Sequence, residues 1–357
     1  EKFNLCRFSY FCNYGLNVRE RQRAEINPMQ YGTIVHYILE RFFGEYTKEE
    51  YLSLEEDKFQ KIVCAYLAEY AVKYFGEEQL ESNSFTYRLK TILDNVMYLM
   101  KHIMEELSQS EFFVADCELK IGEDIPSYTI VLPDGHKIAV CGSVDRVDIM
   151  QRADITYLRI IDYKTGTKQF KLSDILYGIN LQMLLYLHSI EASGGDKYGE
   201  IVPAGILYMP ATVPYISSDS LKSIDKLPDE LNKKLKMNGL LLKDTEIIHG
   251  MDKTDVATYI PVKIKAGEPV SSTSLATLAE FGKIFKKVDM LIAEMGKNIY
   301  NGNIEAKPLK GGHDSCEYCP YDSVCAYRQS NPITCFSVDN KTVIEEITNE
   351  INGKEEE

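Results

Sequence analysis

The sequence predicts a mixed α/β (α+β) protein with a central mixed sheet flanked by helices. Three observations carry this. The apolar period changes from about 3.6 to 2 near residue 110. The strand-like runs that follow are too closely spaced to be βαβ units. A further strand-like run, residues 204–209, comes only after an intervening helical pattern. The order is helices, an antiparallel meander, a helix, a strand and more helices, which is not the regular alternation of a doubly wound nucleotide fold.

Each element has a local reason. Residues 28–43 place Tyr31, Ile34, Val35, Ile38, Leu39 and Phe42 on one broad face, as a buried helix does. Residues 48–109 read as two or three amphipathic helices broken near Gly76 and Ser82-Asn83-Ser84, so about 47–110 is expected to be a helical insertion. Residues 112–121, 128–132 and 137–141 alternate like strands, with Pro133-Asp134-Gly135 as a turn. Residues 143–150 and 155–163 predict a hairpin around Gln151-Arg152-Ala153-Asp154. Residues 173–192 and 275–300 predict helices. The main domain is expected over 1–337. Residues 339–357 carry seven acids against two lysines, and 338–357 is expected to be a flexible acidic tail.

The chain has 357 residues, 45% of them apolar and 26% charged, the composition of a globular protein with a sizeable core. No apolar run is long enough to predict a membrane span. The chain begins Glu1-Lys2-Phe3-Asn4, without Met or a signal segment, which reads as the edge of a longer, cytoplasmic protein. The net charge of −14 excludes wholesale coating of nucleic acid but leaves room for a local basic channel. Lys2, Arg7, Arg19, Arg21 and Arg23 form one cationic cluster, and Arg159, Lys164, Lys168 and Lys171 another. For such clusters a solvated surface is the plainer reading.

The most informative stretch is Gly142-Ser143-Val144-Asp145-Arg146-Val147-Asp148 with Ile160-Ile161-Asp162-Tyr163-Lys164-Thr165-Gly166. A turn centred near 152 and 153 would pair Asp145 near Ile160 and Ile161, and Asp162 near Ser143 and Val144. Alternation puts Asp162 and Lys164 on one face of their strand. Two carboxylates and an ammonium then converge, a set suited to metal-assisted phosphodiester hydrolysis. Carboxylates hold a hard cation such as Mg²⁺, and an ammonium orients water or faces phosphate. A bare D-x-K alone reads as a surface salt bridge; the preceding strand and the upstream Asp at hairpin spacing reverse that preference. His36, in Gly32-Thr33-Ile34-Val35-His36, could add an imidazole, with Glu40 behind it. Gln182 and Tyr186 are i,i+4 neighbours on the next helix, and Glu118 is a further candidate.

These motifs resemble the RecB-type nucleases of the PD-(D/E)xK superfamily. The resemblance implies a restriction-endonuclease-like core. It implies a metal held by His36, Asp145, Asp162 and the Tyr163 carbonyl, with Lys164 as base or water-positioner. Gln182 and Tyr186 would be the supporting pair.

Nine cysteines are present. Cys64, Cys117 and Cys141 lie in apolar patterns and read as small core residues. Cys316-x2-Cys319-x5-Cys325 reads as part of a tetrathiolate site, for which Cys6, His313 or Cys335 could be the fourth ligand. Spacing does not separate a [4Fe–4S] cluster from Zn²⁺. Cys6 before an aromatic-rich Tyr14-Gly15-Leu16 segment, with the C-x2-C-P-Y-x4-C run, is similar to the iron–sulfur nuclease domain of the AddB family over residues 1–330 or so. That similarity implies a [4Fe–4S] cluster on Cys6, Cys316, Cys319 and Cys325, clasping the two ends of the chain. It also implies an AddA-like helicase partner and Mg²⁺- or Mn²⁺-dependent cleavage of unwound single-stranded DNA in double-strand break repair and recombination. Arg7 stands where that family usually has Pro, which makes Cys12 a rival ligand. The chain has no G-x4-G-K-[S/T] loop, so no ATP binding by it is expected. The alternatives are a stand-alone Cas4-like exonuclease and a non-catalytic DNA-binding scaffold.

Overall fold

The computed structural model describes residues 1–19, 28–166, 169–214, 227–265, 267–270, 273–325, 327 and 332–355. Arg21, Arg23 and Lys168 lie outside them. Two short helices, α1 (Lys2–Leu5) and α2 (Arg7–Tyr10), lead into a π-turn, Phe11–Gly15. Then come α3 (Pro28–Glu45), α4 (Lys48–Leu52), α5 (Glu56–Phe75), α6 (Glu77–Leu80) and α7 (Asn83–Ser108). The sheet region follows as β1 (Phe113–Ile121), β2 (Tyr128–Val131), β3 (Lys137–Val140), β4 (Gly142–Arg152) and β5 (Ile155–Lys164). A 3₁₀ turn (Leu172–Tyr177), α8 (Gln182–Ser193), α9 (Gly195–Tyr198) and β6 (Glu200–Pro210) come next. The remainder comprises α10 (Leu227–Leu235), β7 (Asn238–Leu242), α11 (Thr245–Met251), β8 (Lys263–Lys265), β9 (Glu268–Val270), β10 (Leu275–Ala276), α12 (Leu278–Tyr300), β11 (Leu309–Gly311), β12 (Ile333–Cys335) and α13 (Asn340–Glu355).

Six strands form the central sheet in the order β1-β4-β5-β6-β7-β10. Its mixed character comes from the chain order. Hairpin-connected β4 and β5 pair antiparallel, whereas β5 and β6, separated by α8, pair in parallel. The expected mixed α/β class with flanking helices is what is found. The β2–β3 hairpin stands apart as a two-stranded ribbon.

Three expectations are corrected. The β4–β5 register runs Arg146↔Ile161 to Arg152↔Ile155, because the turn is Ala153-Asp154, with Ala153 at φ 49°. Continuing that register places Asp145 opposite Asp162, not opposite Ile160 or Ile161. The single helix expected over 173–192 is divided. Gly178 takes φ 68° and its carbonyl accepts a hydrogen bond from Asn4 Nδ2 at 2.8 Å, so the N-terminal segment crosses at that point. The third correction concerns the acidic end: residues 340–355 form a helix, not a flexible tail. Val343, Ile347 and Ile351 recur every fourth residue and are buried, while Lys287 of α12 ion-pairs with Glu350. Net charge hid a narrow apolar stripe.

On one side of β4 and β5 the R and second D of D-R-x-D are buried. Arg146 forks onto Asp148 (Nε–Oδ1 2.7 Å, Nη2–Oδ2 2.7 Å) and reaches Glu106 of α7 at 3.0 Å. Arg159, read from sequence as part of a surface cluster, is fully buried and bonds the same two carboxylates at 3.0 and 2.6 Å. Four buried charges compensate one another, and removing a single partner from such a set costs about 3–5 kcal/mol. They lock α7 to the strands that carry the site.

Candidate active site

Alternation along β4 and β5 sends Arg146 and Asp148 into this network and leaves Asp145, Asp162 and Lys164 for the site. Asp145 accepts a hydrogen bond from the Tyr163 backbone N–H at 3.0 Å, which fixes its carboxylate against the neighbouring strand. Asp162 is almost completely buried and ion-pairs with Lys164. The oxygen that meets the ammonium is Oδ2. The Lys164 ammonium also lies 5.9 Å above the ring of Tyr208.

His36 enters from α3. Its neighbours Ile34, Val35, Ile38 and Leu39 are buried, which anchors the helix, while its own ring remains half-buried. Nε2 lies 3.6 Å from Asp145 Oδ2, and Nδ1 is 2.9 Å from Glu118 Oε1. Glu118 accepts a second bond, 2.8 Å, from the Ser143 hydroxyl. His36, Glu118 and Asp145 each present a donor atom within 4.8 Å of the others. Among the described residues, no other set of three His, Cys, Asp or Glu side chains does so.

Glu118 thus takes the place that helical spacing suggested for Glu40, which points into solvent. It sits in β1 at φ 51°, a strained conformation for a carboxylate residue in a strand, and strain of this kind clusters at functional sites. Ser143 was not singled out in the sequence; being the residue after Gly142 was its only signal.

Gln182 and Tyr186 of α8 reach the same end of the sheet. They hydrogen-bond each other, and the charges of Asp145 and Asp162 act on the Tyr186 phenol. A Cβ on Gly142 would fall 2.2 Å from the Tyr186 hydroxyl, so glycine is required for that ring to approach β4. Gly32 is different: an added Cβ would meet the Thr165 methyl at 3.7 Å, an ordinary contact that α3 can accommodate.

Burial, followed by the charge of Asp162, pushes Asp145 up to about 7. Burial lowers the pKa of His36, but its bond to Glu118 and the surrounding carboxylates raise it more. The bond from His36 holds Glu118 below the usual carboxylate range. The Asp145 carboxylate, the neighbouring Asp162 carboxylate and the His36 imidazole are oxygen and nitrogen donors that a hard divalent cation would satisfy.

The second candidate centre joins the ends of the chain. Cys6, Cys316, Cys319 and Cys325 line one cavity of about 40 Å³, together with Phe8, Ala306 and Pro308. Tyr321 ties the loop carrying these cysteines to the N-terminal segment, bonding the Val18 carbonyl at 2.7 Å and Asn13 at 3.3 Å. Cys12, on that segment, is buried, and burial with the nearby charges of Cys319, Cys325 and Cys6 raises its thiol pKa. The two local alternatives lie elsewhere. His313 turns to Asp174 at 3.3 Å, and Cys335 is buried in β12 beside Gly311. Cys141, expected in the core, is exposed, and Cys64 and Cys117 are half-buried.

A family model for the PD-(D/E)XK nuclease superfamily matches residues 1–326. The chain belongs to the PD-(D/E)XK nuclease superfamily. Membership implies use of a divalent metal, and the His36, Glu118 and Asp145 donors that converge at this end of the sheet fit one chemically. Three curated relatives of this nuclease chain are each described as a subunit of an ATP-dependent helicase/deoxyribonuclease. The one from Thermoanaerobacter sp. (strain X514) is 34% identical over 339 residues, 92% of this chain and 29% of the relative. Those from Alkaliphilus oremlandii (33% over 367 residues) and Clostridium kluyveri (34% over 374 residues) align with 98% and 100% of this chain and 32% of their own lengths. The chain therefore spans about three tenths of the length of the curated relatives it matches. No helix among its described residues is long and apolar enough to cross a membrane.

Proposed function

We propose that this chain is the nuclease part of an AddAB-type helicase–nuclease and hydrolyses phosphodiester bonds of unwound, single-stranded DNA with Mg²⁺. The observation that carries the reading is the meeting of Asp145, Asp162 and Lys164 with His36 at one end of the sheet. The names of the relatives support the helicase context and an AddA-like partner.

Asp145, Asp162, His36 Nε2 and the Tyr163 carbonyl would hold the cation. When bound, it would supply charge neutralisation at the phosphate and a more acidic water. The rest falls to side chains. A Nδ1–H donated to Glu118 leaves the Nε2 lone pair of His36 directed at Asp145 and the site. Asp162 holds the Lys164 ammonium, which is then placed to orient the attacking water and face the phosphate. Gln182 positions Tyr186 across Gly142, closing the site on its α8 side.

For the second centre we propose a [4Fe–4S] cluster on Cys6, Cys316, Cys319 and Cys325. The four cysteines line one cavity between the chain ends, and four thiolates satisfy a [4Fe–4S] cluster or Zn²⁺. Anaerobic metal analysis with a visible spectrum separates the two; a colourless protein with stoichiometric zinc would replace the cluster by Zn²⁺.

The test of the nuclease reading is cleavage of a labelled single strand by cluster-loaded protein. Cleavage should require Mg²⁺ or Mn²⁺ and fall at least about 100-fold in Asp162→Ala and in Lys164→Ala, each remaining folded. Loaded protein that binds DNA but never cuts it would favour the scaffold reading.

A further inference from the structure

The molecule has a second feature at the end of the sheet that carries Asp162. In register across the strands, Asp162 pairs with Tyr208 of β6, and Tyr208 pairs with Asn238 of β7. Strands lie about 4.8 Å apart, so this row spans about 10 Å. Asn238 Oδ1 also accepts the Phe170 N–H at 2.8 Å, which binds the chain downstream of Lys164 to the start of β7. Immediately before Asn238, the chain borders a groove of about 690 Å³.

The charge of this groove is unlike that of the chain. Among the described residues its lining includes Lys233, Lys236 and Lys263 and no acid, in a protein of net charge −14. Met237 and Val262 are buried behind it, and Val270 is the exposed apolar residue on its wall. Lys236 is structural: its ammonium bonds the carbonyls of Ala257 and Val262 at 2.6 and 3.0 Å. Lys233 and Lys263 are exposed. Lys233 meets Glu230 at 2.8 Å, an exposed pair of little strength that a phosphate can replace. A larger cavity, about 790 Å³, makes the contrast. It lies at the turn end of the β4–β5 hairpin and mixes both signs, with Glu45, Glu49 and Glu111 beside Lys48 and Arg152, so it offers a polyanion no net attraction.

We propose that the Lys233/Lys263 groove carries the backbone of the single-stranded nucleic acid whose scissile bond lies at Asp162 and Lys164. The inference rests on the nuclease reading above and extends it. Phosphates lie along the lysines, the bases pass over the exposed Val270, and the Asp162–Tyr208–Asn238 register puts groove and site at the same end of the sheet.

Metal-free, cluster-loaded protein is titrated with fluorescein-labelled oligo-dT across a salt series, comparing parent with Lys233→Glu/Lys263→Glu. The variant should bind about tenfold more weakly, and its dependence of log Kd on log salt should be shallower by about 1.4, since each single-strand phosphate contact contributes about 0.7. Blunt duplex binding should change little. Hydrolysis of bis(p-nitrophenyl) phosphate, too small to reach the groove, should match the parent. Unchanged oligo-dT affinity and slope in a variant that melts like the parent would overturn the proposal. An equal loss on duplex would overturn the single-strand assignment. If the double variant misfolds, Lys263→Gln alone, on the short β8–β9 hairpin, should remove about half of the slope change, and no change there would count against the groove. A parent that hydrolyses neither substrate with Mg²⁺ but shows these binding differences would reject the nuclease reading and leave the groove standing.

Discussion

At the scale of single residues, the site depends on which atoms are allowed to touch. Gly142 is the sharpest case, because any side chain there would overlap the Tyr186 hydroxyl. Gly142→Ala should therefore displace Tyr186 from the carboxylates. Overpacking of this kind costs about 1–3 kcal/mol, and cleavage should fall about tenfold or more while Mg²⁺ remains required. A Gly142→Ala/Tyr186→Ala double variant no less active than Tyr186→Ala alone would identify displacement of Tyr186 as the cause; an unaffected Gly142→Ala would exclude it. The D-x-K motif was readable because a strand of period 2 sends Asp162 and Lys164 the same way. Glu118 was only a candidate in the sequence, since its role depends on a φ of 51° and on lying beside Ser143 and His36.

At the scale of elements, α8 brings Gln182 and Tyr186 to the site and is fastened to α12 by His188. Its Nε2 lies 3.2 Å from Asp289, which also receives the Tyr128 hydroxyl at 2.9 Å, and its ring stacks on Phe285 at 4.7 Å. Burial lowers the pKa of His188, but its bonds to Asp289 and Glu191 prevail and push it up to about 9. The sign follows from that direction. A histidine whose folded pKa exceeds its unfolded value stabilises fully below about 6.5, and that stabilisation is lost as pH rises through about 9. Melting temperature should thus decline from about pH 6.5 to about 9.5 in the parent, and the decline should be smaller in His188→Gln. Parallel profiles would show that the contact is not a charged one. The same scale explains two boundaries that the pattern misjudged. Helix α12 starts at Leu278 because Thr277 and Glu280 form a capping box, leaving Leu275–Ala276 to pair with β7. Helix α13 was concealed by its acids, although Val343, Ile347 and Ile351 have helical spacing.

At the scale of the whole molecule, the chain ends meet. Cys6 and the Cys316–Cys325 loop share a cavity, and Tyr321 ties the N-terminal segment to that loop. A ligand set closing a loop of more than 300 residues stabilises by restricting the unfolded chain, and its loss is felt by both ends. Cys6→Ala in anaerobically prepared protein should lose iron, melt several degrees lower and bind DNA more weakly, while Asp145, Asp162 and Lys164 remain in place. Retained iron with an unchanged melting temperature would remove Cys6 from the ligand set and point to Cys12.

The sequence by itself determined the mixed class, the order of helices and strands, and the pairing of an Asp on one strand with D-x-K on the next. These follow from local periodicity and short-range hairpin closure, which need no distant partner. Only the tertiary structure decided that Asp145 stands opposite Asp162, that Glu118 and not Glu40 bonds His36, that Arg159 is buried, and that Cys6 lines one cavity with the loop cysteines while His313 and Cys335 lie elsewhere. Each of these depends on residues far apart in the chain, whose meeting is set by packing and burial that no sequence window contains.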